Sequence, residues 1–101
     1  MSVNLLNLVN TIRDRKNNDK NKSYTSSLLS GGLSKCIDKM EEEFDELKEA
    51  LNDKSNIVHE AADTIYHILV TLEAADIKFE DVLKELEDRK KQSGIEEKNN
   101  R

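Results

Sequence analysis

Residues 33–51, LSKCIDKMEEEFDELKEAL, decide the fold. Leu33, Ile37, Met40, Phe44, Leu47 and Leu51 recur at alternating steps of four and three, so they line one narrow stripe of an α-helix. Such a seam predicts packing against another helix. The next apolar stretch, roughly Asn56 to Ala75, differs in kind. Its Ile57, Val58, Ala61, Ala62, Ile65, Tyr66, Ile68, Leu69 and Leu72 cover about half of a helix circumference. A helix that apolar must touch more than one neighbour. Between the two, Asn52-Asp53-Lys54-Ser55 reads as a turn, with Asp53 or Ser55 as N-cap of the helix that follows.

Outward from this pair, a first helix is expected over roughly Val3 to Arg15, with Leu5, Leu8, Val9 and Ile12 on one face. Lys16 to Ser23 are polar and read as a mobile loop, and Tyr24 to Ser30 as a short helical turn ended by Gly31-Gly32. A last helix, roughly Phe79 to Lys91, uses Phe79, Val82, Leu83 and Leu86, and residues 92–101 read as a polar tail. The chain has no proline and three glycines, which favours long uninterrupted helices, and no useful period-two alternation. The expected fold is a single all-α domain over residues 1–101, an antiparallel helical bundle. Four short helices make a thin core for a chain of 101 residues. Burying the excess apolar face in a symmetric partner is the simplest solution, so the bundle is expected to be completed by homodimerisation.

Charge excludes some functions. With 21 acidic and 16 basic side chains the net charge is −5, the wrong sign for a nucleic-acid partner. The single Cys36 excludes an intrachain disulfide and fits a reducing compartment. No basic segment precedes an apolar run at the N-terminus, and no apolar run approaches ~20 residues, so no membrane partner and a cytoplasmic location are expected.

Two acid pairs share one spacing: Glu43-x-x-Glu46 and Glu60-x-x-Asp63. Each pair sits on one side of its helix, and a turn between the helices aims all four carboxylates at one place. An isolated acidic run such as Glu41-Glu42-Glu43 is ordinarily a solvated face, and Glu60 with Asp63 alone is as easily the wet stripe of a buried helix. Two matching pairs facing across a turn are different. Carboxylates gathered that way take up protons or a cation, and Mg²⁺ is the hard divalent ion such oxygens suit. One or two ions would bridge phosphoryl oxygens and stabilise charge on a departing pyrophosphate. Glu42 and Glu46 are the candidates to accept a proton from the attacking water, and the sequence does not separate them. A redox di-iron centre is disfavoured, since such bundles use Glu-x-x-His pairs and neither long helix has one.

These residues carry a resemblance. Glu42-Glu43-x-x-Glu46 followed by Glu60-x-x-Asp63 resembles the signature of the MazG-like all-α nucleoside triphosphate pyrophosphohydrolases. Within them the chain is most similar to the phosphoribosyl-ATP pyrophosphohydrolase family of histidine biosynthesis, through SYTSSLL (23–29), KMEEEFDEL (39–47), EAADTIYHILV (60–70), FEDVL (79–83) and SGIEEK (93–98). The resemblance implies Mg²⁺-dependent hydrolysis of phosphoribosyl-ATP to phosphoribosyl-AMP and pyrophosphate by a helical dimer or higher assembly. It also implies Glu43, Glu46, Glu60 and Asp63 as metal ligands, with Glu42 a further acid. The chain departs from the family at Glu41, where glycine is common, and at Phe44, where a small residue is usual, which bears on the site and on core packing respectively.

Lys22, Tyr24 and Thr25 sit ahead of the helix expected at 33–51 and offer hydroxyl and ammonium groups to phosphate or ribose; loop solubility explains them equally well. Lys39, one turn before Glu43, is a phosphate contact or an i,i+4 ion pair. Arg89, with Lys90 and Lys98, is a further substrate-binding candidate against the background of a solvated C-terminal face. His67 reads as a hydrogen-bonded structural histidine, and neither His59 nor Cys36 carries a functional signal. Two other functions fit parts of the pattern: a house-cleaning (d)NTP pyrophosphatase, and a non-catalytic helical dimerisation module that explains the seams but not the paired acids.

Overall fold

The structure, a computed structural model, describes residues 2–16 and 23–90. The expected loop at 16–23 therefore falls mostly outside the described residues, as does the tail at 92–101. Five helices follow in order: α1 (Ser2–Arg15), α2 (Tyr24–Ser30), α3 (Leu33–Asp53), α4 (Ile57–Ala74) and α5 (Phe79–Arg89). No strand occurs among the described residues, so the molecule is all-helical as the periodicity predicts.

α3 and α4 form the central hairpin. They run antiparallel, because the hydroxyl of Thr64 meets the Glu43 carbonyl while that of Thr71, seven residues on, meets the carbonyl of Cys36, seven residues back. The turn differs from expectation. Neither Asp53 nor Ser55 caps α4; the chain reverses through two left-handed residues, Lys54 at φ 56° and Asn56 at φ 58°, and Asn56 occupies the cap position without a side-chain hydrogen bond. Asparagine adopts that conformation readily, whereas lysine does so at a cost of ~1 kcal/mol. At its far end α4 stops in a Schellman arrangement, with Ile77 N–H on the Leu72 carbonyl (2.9 Å) and Asp76 N–H on that of Glu73 (3.0 Å).

α1 and α2 cover the C-terminal half of α4. Val9, Ile12, Leu28, Cys36, Leu69 and Val70 form the buried core, with Leu5, Leu8, Tyr66 and Phe79 against it. α2 is positioned by its own polar residues. Ser23 caps it by accepting from Ser26 N–H at 3.0 Å, and the buried Ser26 hydroxyl donates to the Arg15 carbonyl at 3.1 Å. Gly32, at φ 90°, makes the turn into α3 that a side chain would oppose.

The seam expected on α3 packs differently. α3 buries Cys36 and Ala50 against the rest of the chain, while Leu33, Ile37, Phe44 and Leu51 remain exposed. Phe44 accordingly takes no part in this chain's core. On α4, Val58 (84% exposed) and Ile65 also face outward. In an antiparallel pair, the residue following each contact position turns to the same side, about 100° round. Ile37, Phe44 and Leu51 thus share one face of the hairpin with Val58 and Ile65, and Glu46, Glu60 and Asp63 lie on the other.

Ion pairs fasten the end of α1 to the α4–α5 corner. Arg13 bonds the Glu80 carboxylate through both terminal nitrogens and reaches Glu73 at 3.4 Å, and Lys16 holds Asp76 and the Glu73 carbonyl. The Arg13 guanidinium holds the Glu80 carboxyl down at about 2. A carboxyl with a lowered folded-state pKa stabilises above its unfolded value of ~4.5, and that contribution fades as pH falls toward 2. Glu80→Gln is therefore expected to melt below the wild-type chain at neutral pH, the gap closing across that acid interval. A gap independent of pH would show that the pair's charge is not what holds α1 there.

Candidate metal centre

Glu43 and Glu46 sit one turn apart, at and just past the middle of α3, and Glu60 and Asp63 in the first two turns of α4. The tight α3–α4 turn brings them level. Oxygens of Glu43, Glu46 and Glu60 lie within 4.8 Å of one another. A second group at the same mutual distance joins Glu60 to Asp63 and His59, whose Nε2 is 3.2 Å from Asp63 Oδ2 and 3.7 Å from Glu60 Oε1. Glu60 belongs to both groups and is the hub of the site, its side chain 14% exposed. Sequence reasoning passed over His59; its i,i+4 spacing from Asp63 was the available signal.

Electrostatics mark the same residues. Burial pushes the Glu43 carboxyl up, and the neighbouring Glu46 carboxylate pushes it further. Burial also raises Glu60, again helped by Glu46. Glu43 Oε2 is shielded from solvent and accepts no hydrogen bond among the described residues. A buried oxygen left that way costs ~1–3 kcal/mol. Crowded carboxylates with raised pKa and an orphaned oxygen fit a divalent cation, and an all-oxygen inner set suits Mg²⁺. From these acids an open cleft of about 180 Å³ leads to the turn, past Glu49, Asp53 and Asn56.

The other predicted residues are placed variously. Glu42 is exposed and ion-paired with Lys39 at 3.4 Å, outside the acid groups, and Glu41 is exposed on another face of the helix. Tyr24 opens α2 beside the site. Partial burial pushes its phenol up, against the pull of Lys39 and with Tyr66, Glu43 and Glu42 adding to the rise. Its hydroxyl lies 3.2 Å from His67 Nε2, and His67 Nδ1 donates to the Asp63 carbonyl at 2.8 Å. In neutral imidazole that leaves Nε2 as acceptor from Tyr24. His67 is thus the structural histidine the sequence suggested, buried and bonded at both nitrogens. Thr25 is buried with its hydroxyl on that of Tyr66, within the α2–α4 packing. Arg89 sits in the last turn of α5, bonded to Glu85 at 3.1 Å, on the element that follows the opposite end of α4 from the acids. Lys22 lies outside the described residues, and so does Lys98.

Comparison with known proteins identifies the family. A family model described as phosphoribosyl-ATP pyrophosphohydrolase matches residues 5–90. Proteins named phosphoribosyl-ATP pyrophosphatase are similar along nearly their whole length. That of Roseobacter denitrificans is 46% identical, covering 90% of this chain and 89% of its own. That of Ruegeria pomeroyi is 45% identical over 97% and 94%, and that of Dinoroseobacter shibae 44% identical over the full length of both. The acids that converge here all fall within the matched segment, and the chain belongs to the phosphoribosyl-ATP pyrophosphohydrolase family.

Proposed function

We propose that this chain hydrolyses phosphoribosyl-ATP to phosphoribosyl-AMP and pyrophosphate, a step of histidine biosynthesis, with Mg²⁺ as cofactor and as a homodimer. The family match over residues 5–90 supports the substrate. The observation that carries the chemistry is the convergence of Glu43, Glu46 and Glu60 within 4.8 Å, with Asp63 and His59 alongside.

Mg²⁺, when bound, supplies positive charge to phosphoryl oxygens and lowers the pKa of a water. Glu43, Glu46, Glu60 and Asp63 would hold it. Lys39 and Tyr24 flank the acids; the Lys39 ammonium is offered to the substrate's phosphates, and the Tyr24 oxygen, whose hydrogen is on His67, to a ribose hydroxyl. Glu46 is exposed at the cleft mouth and stands among the ligands, which favours it over the Lys39-paired Glu42 for accepting a proton from the attacking water. The outward apolar face of the α3–α4 hairpin supports the dimer. No described helix is long and apolar enough to cross a membrane.

Substrate choice is tested by pyrophosphate release from phosphoribosyl-ATP and from a panel of (d)NTPs. Phosphoribosyl-ATP is expected to be turned over with the highest kcat/KM. A clear preference for a (d)NTP would reassign the chain to nucleotide clearance, and no turnover of any nucleotide would leave an interaction module.

A further inference from the structure

Two threonines of α4 are built into its seam with α3 in the same way. Thr64, 3% exposed, donates its Oγ1 hydrogen to the Glu60 carbonyl one turn back at 2.8 Å, and the same oxygen lies 3.1 Å from the Glu43 carbonyl on α3. Thr71 repeats the arrangement at 2.7 Å from the His67 carbonyl and 3.2 Å from that of Cys36. A helical threonine ordinarily satisfies its hydroxyl on its own helix. Sharing that hydrogen with a second carbonyl is what crosses the pair.

The two clasps differ in what they join. Thr71 links Cys36 and His67, neither of them in the acid groups. Thr64 links Glu43 and Glu60, whose carboxylate oxygens approach within 4.8 Å. Each carbonyl is bonded to the Cα that carries the carboxylate arm, so one hydroxyl on both carbonyls fixes the distance between the roots of the arms. Without it, repulsion between the acids is free to splay the helices locally, and a cation must draw them back together.

We propose that Thr64 is a positioning residue for the divalent-ion site, its hydroxyl setting the spacing of Glu43 and Glu60 across α3 and α4. This rests on the reading of the acid group as a divalent-cation site. Thr71 supplies the internal control: the same bond, one heptad away, with no ligand attached.

The test is Mn²⁺ binding by the metal-free full chain, followed by the paramagnetic resonance of free Mn²⁺, with melting temperatures alongside. Thr64→Val is expected to weaken Mn²⁺ binding by about tenfold, the scale of losing an outer partner of a metal ligand. Thr64→Ser, which keeps the hydroxyl, stays near the wild-type affinity. Thr64→Ala loses affinity as valine does, without valine's added methyl. Thr71→Val lowers the melting temperature like Thr64→Val but leaves the affinity in place. Unchanged binding in Thr64→Val, or equal weakening in Thr71→Val, overturns the positioning role and leaves the ion site standing. Failure of the wild-type chain to bind Mn²⁺ overturns the ion site itself and the role of Thr64 with it.

Discussion

Glu60→Gln is expected to slow pyrophosphate release by roughly 10²- to 10³-fold, the scale of deleting one placed electrostatic group from a preorganised site. Glu60 is the residue to choose because it belongs to both candidate ligand groups, with Glu43 and Glu46 on one side and His59 and Asp63 on the other. The amide keeps the shape and removes the charge. In metal-free buffer the same change is expected to raise the melting temperature, because the Glu60 and Glu43 carboxyls are both raised by burial and by their acidic neighbours. A carboxyl with a raised folded-state pKa opposes folding as pH climbs from ~4.5 through the raised value, and the wild-type chain carries the whole of this penalty above that value. Adding Mg²⁺ reverses the order: the wild-type chain gains stability and Glu60→Gln gains little. Melting curves with Mg²⁺ and with a chelator, beside turnover, check both halves. Full turnover in the variant would show that Glu60 is not a ligand, and a lower melting temperature in chelator that it is not a strained charge.

The second large effect concerns the outward apolar face. Ile37, Phe44 and Leu51 on α3 and Val58 and Ile65 on α4 form a stripe that this chain leaves in water. A symmetric partner would bury each of them twice. Losing a buried isoleucine costs about 1.5–3 kcal/mol, so two copies of Ile65→Lys remove about 3–6 kcal/mol before the charge is counted. At 1.4 kcal/mol per tenfold, the dissociation constant is expected to rise by at least about 10²- to 10⁴-fold. Light scattering on eluting protein should then show a dimer for the wild-type chain and a monomer for Ile65→Lys. A wild-type monomer at micromolar concentration would reject the dimer outright. Retained helicity in the variant separates lost assembly from lost folding.

Much of this was legible in the sequence, for identifiable reasons. The period of Leu33 to Leu51, the broad arc from Ile57 to Leu72 and the Gly31-Gly32 break gave α2, α3 and α4 to within a few residues, because apolar spacing and glycine report directly on helix faces and ends. The four acids were legible because their spacing recurs on both sides of one turn. What escaped were features with no period. α3 meets α4 through Cys36, Glu43 and Ala50, where small side chains and threonine–carbonyl bonds allow close approach, and the larger apolar residues one position on turn outward. The cap of α4 was missed because the turn runs through two left-handed residues instead of a capping side chain. His59 was missed because an exposed i,i+4 pair with Asp63 looks like any surface pair until Glu60 is placed beside it.

These acids are proposed to hold a divalent ion for cleavage of phosphoribosyl-ATP to the monophosphate and pyrophosphate. Phosphorus NMR of a single reaction tests it most directly. With Mg²⁺, pyrophosphate and phosphoribosyl-AMP signals are expected to grow one for one, to stop on chelation and to resume when Mg²⁺ is restored. Release of orthophosphate, or a rate untouched by the chelator, would contradict it.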